Sequence, residues 1–265
     1  MDKLVLLFAA AALLSDGCRS ASIDKHLKML PKINNDIEPS GFPSTVAVSK
    51  PTGLRKFLSL TDRPAPLNLL TSGAPLELTC EALASPAPTI HWYKNDAPVY
   101  EYDQESNEII DTGSSSVGRL TSTLLVSKAE GHDEYTCLAI SGTNTARAST
   151  IVYSIDGSTD LTERSKLAPL APRILVSYKV YLDTFGSNVV LPCHARGHPK
   201  PHVSWSWRNN NGQLMKLNSR MKVLKSGELL ISQLRWADLG EYSCEAANAF
   251  GSQIAKTFVY PARAG

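Results

Sequence analysis

Apolar runs long enough to cross a membrane are absent from this sequence of 265 residues. The longest run, Leu4 to Leu14, follows Lys3 and precedes several small residues. It is shorter than the roughly 20 apolar residues that a membrane helix needs, and it is typical of a secretory signal peptide. We therefore expect a signal at residues 1–20 and a secreted, extracellular protein without a membrane anchor.

Patterns that indicate catalysis or metal binding are also missing. His132 and Asp133 are adjacent, but no serine or cysteine nucleophile motif accompanies them. Three histidines follow one another from His194 to His202, yet the first and last are expected on opposite outer faces of a sandwich, and Pro199 excludes a helix between them. The sequence predicts no enzyme, no cofactor and no metal site.

Charge of one sign does not dominate the chain as a whole, which has a formal net charge of +2. Residues 64–153 carry 4 Lys/Arg against 11 Asp/Glu, a net −7, and residues 172–265 carry 12 against 5, a net +7. Such a dipolar chain can orient a charged partner or dock its own halves, or the charges can simply lie on solvated faces. A nucleic-acid partner is not predicted, because the basic half is joined to an equally acidic one.

Cysteine is scarce, with five residues, but four of them lie in a repeated pattern. A cysteine is followed twelve residues later by a tryptophan, and then by a tyrosine two residues before a second cysteine. The two copies are Cys80, Trp92, Tyr135, Cys137 and Cys193, Trp205, Tyr242, Cys244. This spacing is typical of immunoglobulin sandwiches, in which the cysteines bridge two sheets and the tryptophan packs on the disulfide. It predicts an all-β chain of two tandem immunoglobulin-like sandwiches of the intermediate type, each with one internal disulfide.

The fifth cysteine and the segments between the repeats complete the predicted organisation. Cys18 lies near the expected cleavage point of the signal, and it would be available for lipidation or an interchain bond if cleavage falls before it. Residues 21–63 are rich in polar residues and proline and are expected to form a flexible arm. The first domain is expected at 64–153, a linker at 154–171 and the second domain at 172–261.

Apolar side chains that point away from the predicted cores form a candidate contact surface. If Thr150 and Val152 face the core, their neighbours on the strand face outward, and the same alternation applies near Trp92, Cys137 and Val259. The residues assigned to this outer surface are Tyr93, Leu138, Ile140, Ile151, Tyr153, Tyr178, Phe258 and Tyr260. Contiguous exposed apolar surface generally marks an interaction site, although the arm, the linker or the other domain could cover these residues instead.

The second half of the sequence resembles a known family. The resemblance is carried by PRI at 172–174, LDTFGSNVVLPC at 182–193, GELLISQLRWADLGEYSCEAANAFG at 227–251 and TFVYP at 257–261. These stretches are similar to the C-terminal domain in the family of the insect neural/ectodermal development factor. Members of that family are secreted proteins with two immunoglobulin domains. Trp236 and the FVYP ending are its most specific features, whereas the first domain matches only loosely.

The resemblance also implies a function. It implies a protein that binds and sequesters insulin-like peptides and so restrains insulin signalling, with the eight outward residues as the hormone-binding surface. The competing hypothesis is a secreted immunoglobulin-domain ligand in cell contact or axon guidance, a role that many tandem domains of this type perform.

Overall fold

A computed structural model of the chain describes residues 56–71, 74–99, 115–129, 131–154 and 169–263. These residues lie in one compact unit and are nearly all in β-structure, which confirms the predicted fold class. The strands are β1 (Phe57–Asp62), β2 (Leu67–Leu70), β3 (Leu76–Ser85), β4 (Thr89–Lys94), β5 (Ala97–Val99), β6 (Val117–Val126), β7 (His132–Ser141), β8 (Asn144–Ser154), β9 (Leu170–Thr184), β10 (Val189–Leu191), β11 (His194–His198), β12 (His202–Asn209), β13 (Leu214–Met215), β14 (Met221–Val223), β15 (Leu229–Ile231), β16 (Gly240–Asn248) and β17 (Gly251–Ala262). One turn of 3-10 helix, Trp236–Asp238, precedes β16. None of the described residues belongs to a helix with the length and hydropathy of a membrane span.

The first domain is a sandwich held together at its centre by a disulfide. Strands β1, β3 and β6 face a five-stranded sheet in the order β2-β8-β7-β4-β5. Cys80 on β3 is bonded to Cys137 on β7 and joins the two layers. The indole Nε1 of Trp92 donates a 3.0 Å hydrogen bond to Ser122 Oγ across the same core. The spacing of these residues therefore predicts the packing that is observed.

The second domain repeats this arrangement with different strands. Strands β9, β17, β16, β12 and β13 are consecutive in one sheet, and β10, β15 and β14 form the other. Cys193, just after β10, is bonded to Cys244 on β16. The hydroxyl of Tyr242 donates a 2.9 Å hydrogen bond to the carbonyl oxygen of Asp238, which closes the corner before β16.

A single sheet runs through both domains. Its order is β1-β3-β6-β9-β17-β16-β12-β13, with β11 also paired to β9. β9 pairs antiparallel with β6 of the first domain over Val176 to Leu182 and parallel with β17 of the second over Val180 to Thr184. With 15 residues it is long enough to serve both sandwiches.

Both cores lie on the same side of this nine-stranded sheet. Tyr181 on β9 is opposite Gly118 on β6 and beside Val259 on β17, so these three residues face the same side. Tyr181 and Val259 are buried, and they belong to one apolar cluster with Leu120 of the first domain and Tyr242 of the second. The other side is therefore one continuous outer face that extends across both domains.

The structure revises two predicted boundaries. β1 lies within residues 21–63, where a flexible arm was expected, because Leu58 and Leu60 pack against the first core while the strand pairs with β3. β9 begins inside the linker expected at 154–171. The remaining parts of these calls, and the expected signal at 1–20, lie outside the described residues.

Candidate functional site

Five of the eight predicted surface residues lie on the five-stranded sheet of the first domain. Their strands are β4, β7 and β8, and their registers place them on its outer face. Tyr93, Ile140, Ile151 and Tyr153 are partly buried. Leu138 is buried, which corrects its expected exposure. It lies on the central strand opposite His91 and Arg147, so longer side chains flank it on both sides.

Tyr178 was also expected on the surface, and this prediction is wrong. The pairing of β6 with β9 shifts by one residue, so that Arg119 pairs with Val180 and Leu120 with Tyr178. The extra residue, Lys179, interrupts the alternation and turns Tyr178 inward, as a β-bulge does. The Tyr178 hydroxyl donates a 3.2 Å hydrogen bond to the carbonyl oxygen of Pro88, and burial raises its pKa.

Phe258 and Tyr260 are exposed, but they lie on the outer face of the nine-stranded sheet and not beside the first five residues. The five-stranded sheet packs on the side of the nine-stranded sheet that carries both cores. The rings of Phe258 and Tyr260 lie on the opposite side. The predicted surface therefore divides into two separate faces. Alternation assigned the outward direction correctly for the seven residues other than Tyr178, but it could not identify which outer faces are continuous.

The exposed aromatic residues of the nine-stranded sheet belong to a larger group, which we call the aromatic strip. Its members are Val180, Phe185, Trp236, Phe258 and Tyr260, each about 40–55% exposed. The ring of Trp236 meets Tyr260 edge-on at 5.8 Å and Phe185 at 6.3 Å between centroids. Val180 is the partner of Phe258 in the parallel pairing of β9 with β17.

Buried contacts position the residues of the strip. Arg220 forms a two-pronged ion pair with Asp238, at 2.6 and 2.9 Å, and Asp238 also accepts a hydrogen bond from the backbone of Arg235. These bonds fix the helical turn that carries Trp236. Because Val259 and Thr257 are anchored in the core, the residues that alternate with them are directed outward.

A charged cluster adjoins the strip on the first-domain side. Glu81 on β3 follows core-facing Cys80 and so faces outward, yet it is only 2% exposed. Lys179 approaches its Oε2 at 2.5 Å and Arg119 Nε approaches its Oε1 at 2.5 Å. Thr61 and Thr121 donate further hydrogen bonds. Burial by itself raises the pKa of Glu81, but the bonds from these four residues outweigh it and lower the pKa to about 2. We call Glu81, Arg119 and Lys179 the charge cluster.

Sequence reasoning did not assign Val180, Phe185, Trp236 or the charge cluster to a site. Trp236 offered a signal, since it is a large aromatic residue next to the Asp238–Tyr242 corner and has no place in the repeated core pattern. Glu81 offered none, because its partners are 38 and 98 residues distant in sequence. Such a cluster becomes visible only when the strands are paired.

Comparison with known proteins agrees with this architecture. The immunoglobulin I-set domain matches residues 172–260, and an immunoglobulin domain family matches residues 59–140. The neural/ectodermal development factor IMP-L2 of Drosophila melanogaster is 34% identical over 77% of this chain and 77% of its own length. The chain belongs to the IMP-L2 family. It is an immunoglobulin-domain protein.

Two further comparisons extend this result. The crystal structure of IMP-L2 superposes with a TM-score of 0.64 and 31% identity, covering 79% of this chain and 96% of that one. The Zwei Ig domain protein zig-4 of Caenorhabditis elegans is 30% identical over 74% of this chain and 78% of its own length. The two-domain organisation is therefore shared with relatives of similar length.

Proposed function

We propose that the chain is a secreted binding protein that sequesters insulin-like peptides and restrains insulin signalling, with the aromatic strip at the centre of the contact surface. The observation that carries this proposal is the strip itself, a group of large apolar side chains that are exposed together. Three of them lie on paired strands, and Phe185 and Trp236 lie next to these strands. Family membership gives the class of ligand, as the sequence resemblance implies.

The strip has the properties of a protein-binding centre. Aromatic residues with exposed rings dominate many interfaces, and an insulin-type hormone presents an apolar receptor-binding surface that could cover them. Phe258, Tyr260 and Val180 lie on paired strands, so little conformational freedom is lost when they bind. Preorganisation of this kind favours affinity.

The outer face around the strip includes residues of both domains. Arg119 on β6 is opposite Val180, and Leu83 on β3 is opposite Arg119. Strands lie about 4.8 Å apart, so the five strands from β3 to β16 span roughly 20 Å. A surface of this width is compatible with the roughly 800 Å² per partner of an ordinary specific interface. We therefore expect tight binding to need both domains.

The first prediction tests the location of the site. Phe258→Ala and Trp236→Ala should each weaken the binding of insulin by about thirtyfold, since truncation of an aromatic anchor costs about 2 kcal/mol. Tyr153→Ala is the matched control, because Tyr153 lies on the outer face of the other sheet. Calorimetric titration with insulin measures the affinity, and thermal unfolding verifies that each variant is folded.

Each outcome of this experiment has a definite meaning. Loss of binding in Phe258→Ala with an unchanged Tyr153→Ala supports the strip. The reverse result would place the contact on the five-stranded sheet. If wild-type protein does not co-elute with insulin at all, the hormone-binding proposal fails and the cell-contact hypothesis takes its place.

A further inference from the structure

We propose that Arg119 is a specificity-determining residue that pairs with a carboxylate of the bound peptide, at the edge of the aromatic strip. This inference rests on the proposed function, since it assigns part of the recognition of that same ligand. It adds a charge requirement that an apolar surface alone does not impose.

Arg119 lies beside the aromatic strip. Arg119, Val180 and Phe258 are consecutive neighbours across β6, β9 and β17 on the outer face. The Arg119 side chain is 44% exposed and therefore accessible to a ligand that covers the strip. A peptide on the strip would remove water from this group and strengthen its interaction with an opposite charge.

The guanidinium of Arg119 is held on one side by a glutamate. Its Nε donates a hydrogen bond to Glu81, which is the one acceptor of Arg119 among the described residues. The two Nη atoms are thus left for a ligand, in the planar fork that matches a carboxylate. Since the nearly buried Glu81 fixes the Nε side, the fork is oriented before the ligand arrives.

The charges around Arg119 do not cancel. Two cations, Arg119 and Lys179, surround one carboxylate, whose pKa of about 2 keeps it ionised at neutral pH. The charge cluster therefore carries a net charge of +1. An acidic side chain or a terminal carboxylate of the peptide complements this charge, whereas a basic group would be repelled.

The test uses Arg119→Lys in the full chain, with insulin as the probe. Lysine keeps the positive charge near Glu81 but loses the two-pronged fork, so we expect affinity to fall about tenfold or more. Arg173→Lys is the matched control, because the Nε of Arg173 also binds a glutamate, Glu77, at 2.9 Å and its side chain is 46% exposed. We expect this control to bind within about twofold of wild type.

A second arm identifies the partner group on the peptide. Each carboxylate of insulin is neutralised in turn, by Glu→Gln or by a C-terminal amide, and titrated against wild type and Arg119→Lys. One neutralisation should weaken wild-type binding about tenfold and have little further effect in Arg119→Lys, because coupled changes are not additive.

The outcomes separate the two proposals. If no neutralised carboxylate weakens binding to the wild-type protein by more than about threefold, the assignment of Arg119 is overturned, whatever the stability of the variant. Binding of Arg119→Lys within about twofold of wild type overturns it equally. A wild-type protein that does not bind insulin rejects the proposed function itself and, with it, this inference.

Discussion

Glu81 is a carboxylate in an exceptional place, nearly buried on what is nominally the outer face of a sheet. Thr61, Arg119, Thr121 and Lys179 enclose it and satisfy both of its oxygens. Its partners come from β1, β6 and β9, so the residue ties the first domain to the strand that enters the second. Removing one partner of a buried ion pair is costly even where the intact pair contributes little net stability.

Stability should therefore depend on pH through Glu81. Its pKa in the folded protein, about 2, is below the ordinary value of 4.5, so its contribution is complete above pH 4.5 and is lost as the pH falls towards 2. Removal of one partner from a buried ion pair costs about 3–5 kcal/mol. Glu81→Gln should cost about 3 kcal/mol at neutral pH, because the side chains of Arg119 and Lys179 are about half exposed and water can solvate them when the carboxylate is absent. The difference from wild type should shrink on acidification.

Denaturant unfolding of wild type and Glu81→Gln between pH 2.5 and pH 7 measures this difference. Glu77→Gln is the control, because the Glu77–Arg173 pair is about half exposed and should contribute no more than about 1 kcal/mol. A pH-independent gap between wild type and Glu81→Gln would show that ionisation of Glu81 does not stabilise the fold.

Among the elements, the contact of β6 with β9 decides the architecture. Gly118 lies on β6 where the inward ring of Tyr178 passes close by. A Cβ atom at this position would be 2.8 Å from both Ala87 Cβ and Tyr178 Cε1, which is closer than side chains approach. The absence of a side chain thus permits β9 to complete the sheet of the first domain.

Substitution of Gly118 should therefore weaken this contact. Gly118→Val places a branched side chain against Ala87 and Tyr178, and overpacking of this kind costs about 1–3 kcal/mol or more. Thr123→Ser is the control on the same strand, since Thr123 faces outward and serine keeps the hydroxyl that shares a 3.3 Å hydrogen bond with Thr79. Chemical denaturation checks the stabilities, and hydrogen exchange of the β9 amides should increase in Gly118→Val alone.

At the scale of the whole molecule, the two sandwiches form one structural unit. Their cores belong to one apolar cluster, and one sheet runs through both. Domains joined only by a linker would unfold independently, whereas shared strands and a shared core make unfolding of one costly for the other. The continuous outer face is a consequence of the same arrangement.

Loss of the first disulfide should consequently destabilise the second domain too. Cys80→Ala with Cys137→Ala opens a loop of 57 residues, which costs about 4 kcal/mol by the chain-entropy estimate. We expect a single calorimetric transition at a lower temperature, with Trp205 and Trp207 of the second domain exposed in that same transition. Two transitions, with the second at the wild-type temperature, would show instead that the domains are thermodynamically independent.

The sequence by itself determined the local and repeated features of this protein. The spacing of Cys80, Trp92 and Cys137 predicts a disulfide across two layers with an indole beside it, and this is what forms. The alternation around Val259 likewise directs Phe258 and Tyr260 to the surface. These inferences succeed because side chains alternate along a strand and because few side-chain arrangements fill the core of an immunoglobulin sandwich.

Only the tertiary structure decided how the strands join and which surfaces are continuous. Backbone hydrogen bonds between β6 and β9 depend on no particular side chain, so the sequence does not indicate that these strands pair. The bulge at Lys179 follows from that pairing, and it buries Tyr178, which alternation would expose. The charge cluster likewise forms only when three distant strands are neighbours. Strand pairing joins residues that are far apart in the sequence, and it determines which side chains lie together on the candidate binding surface.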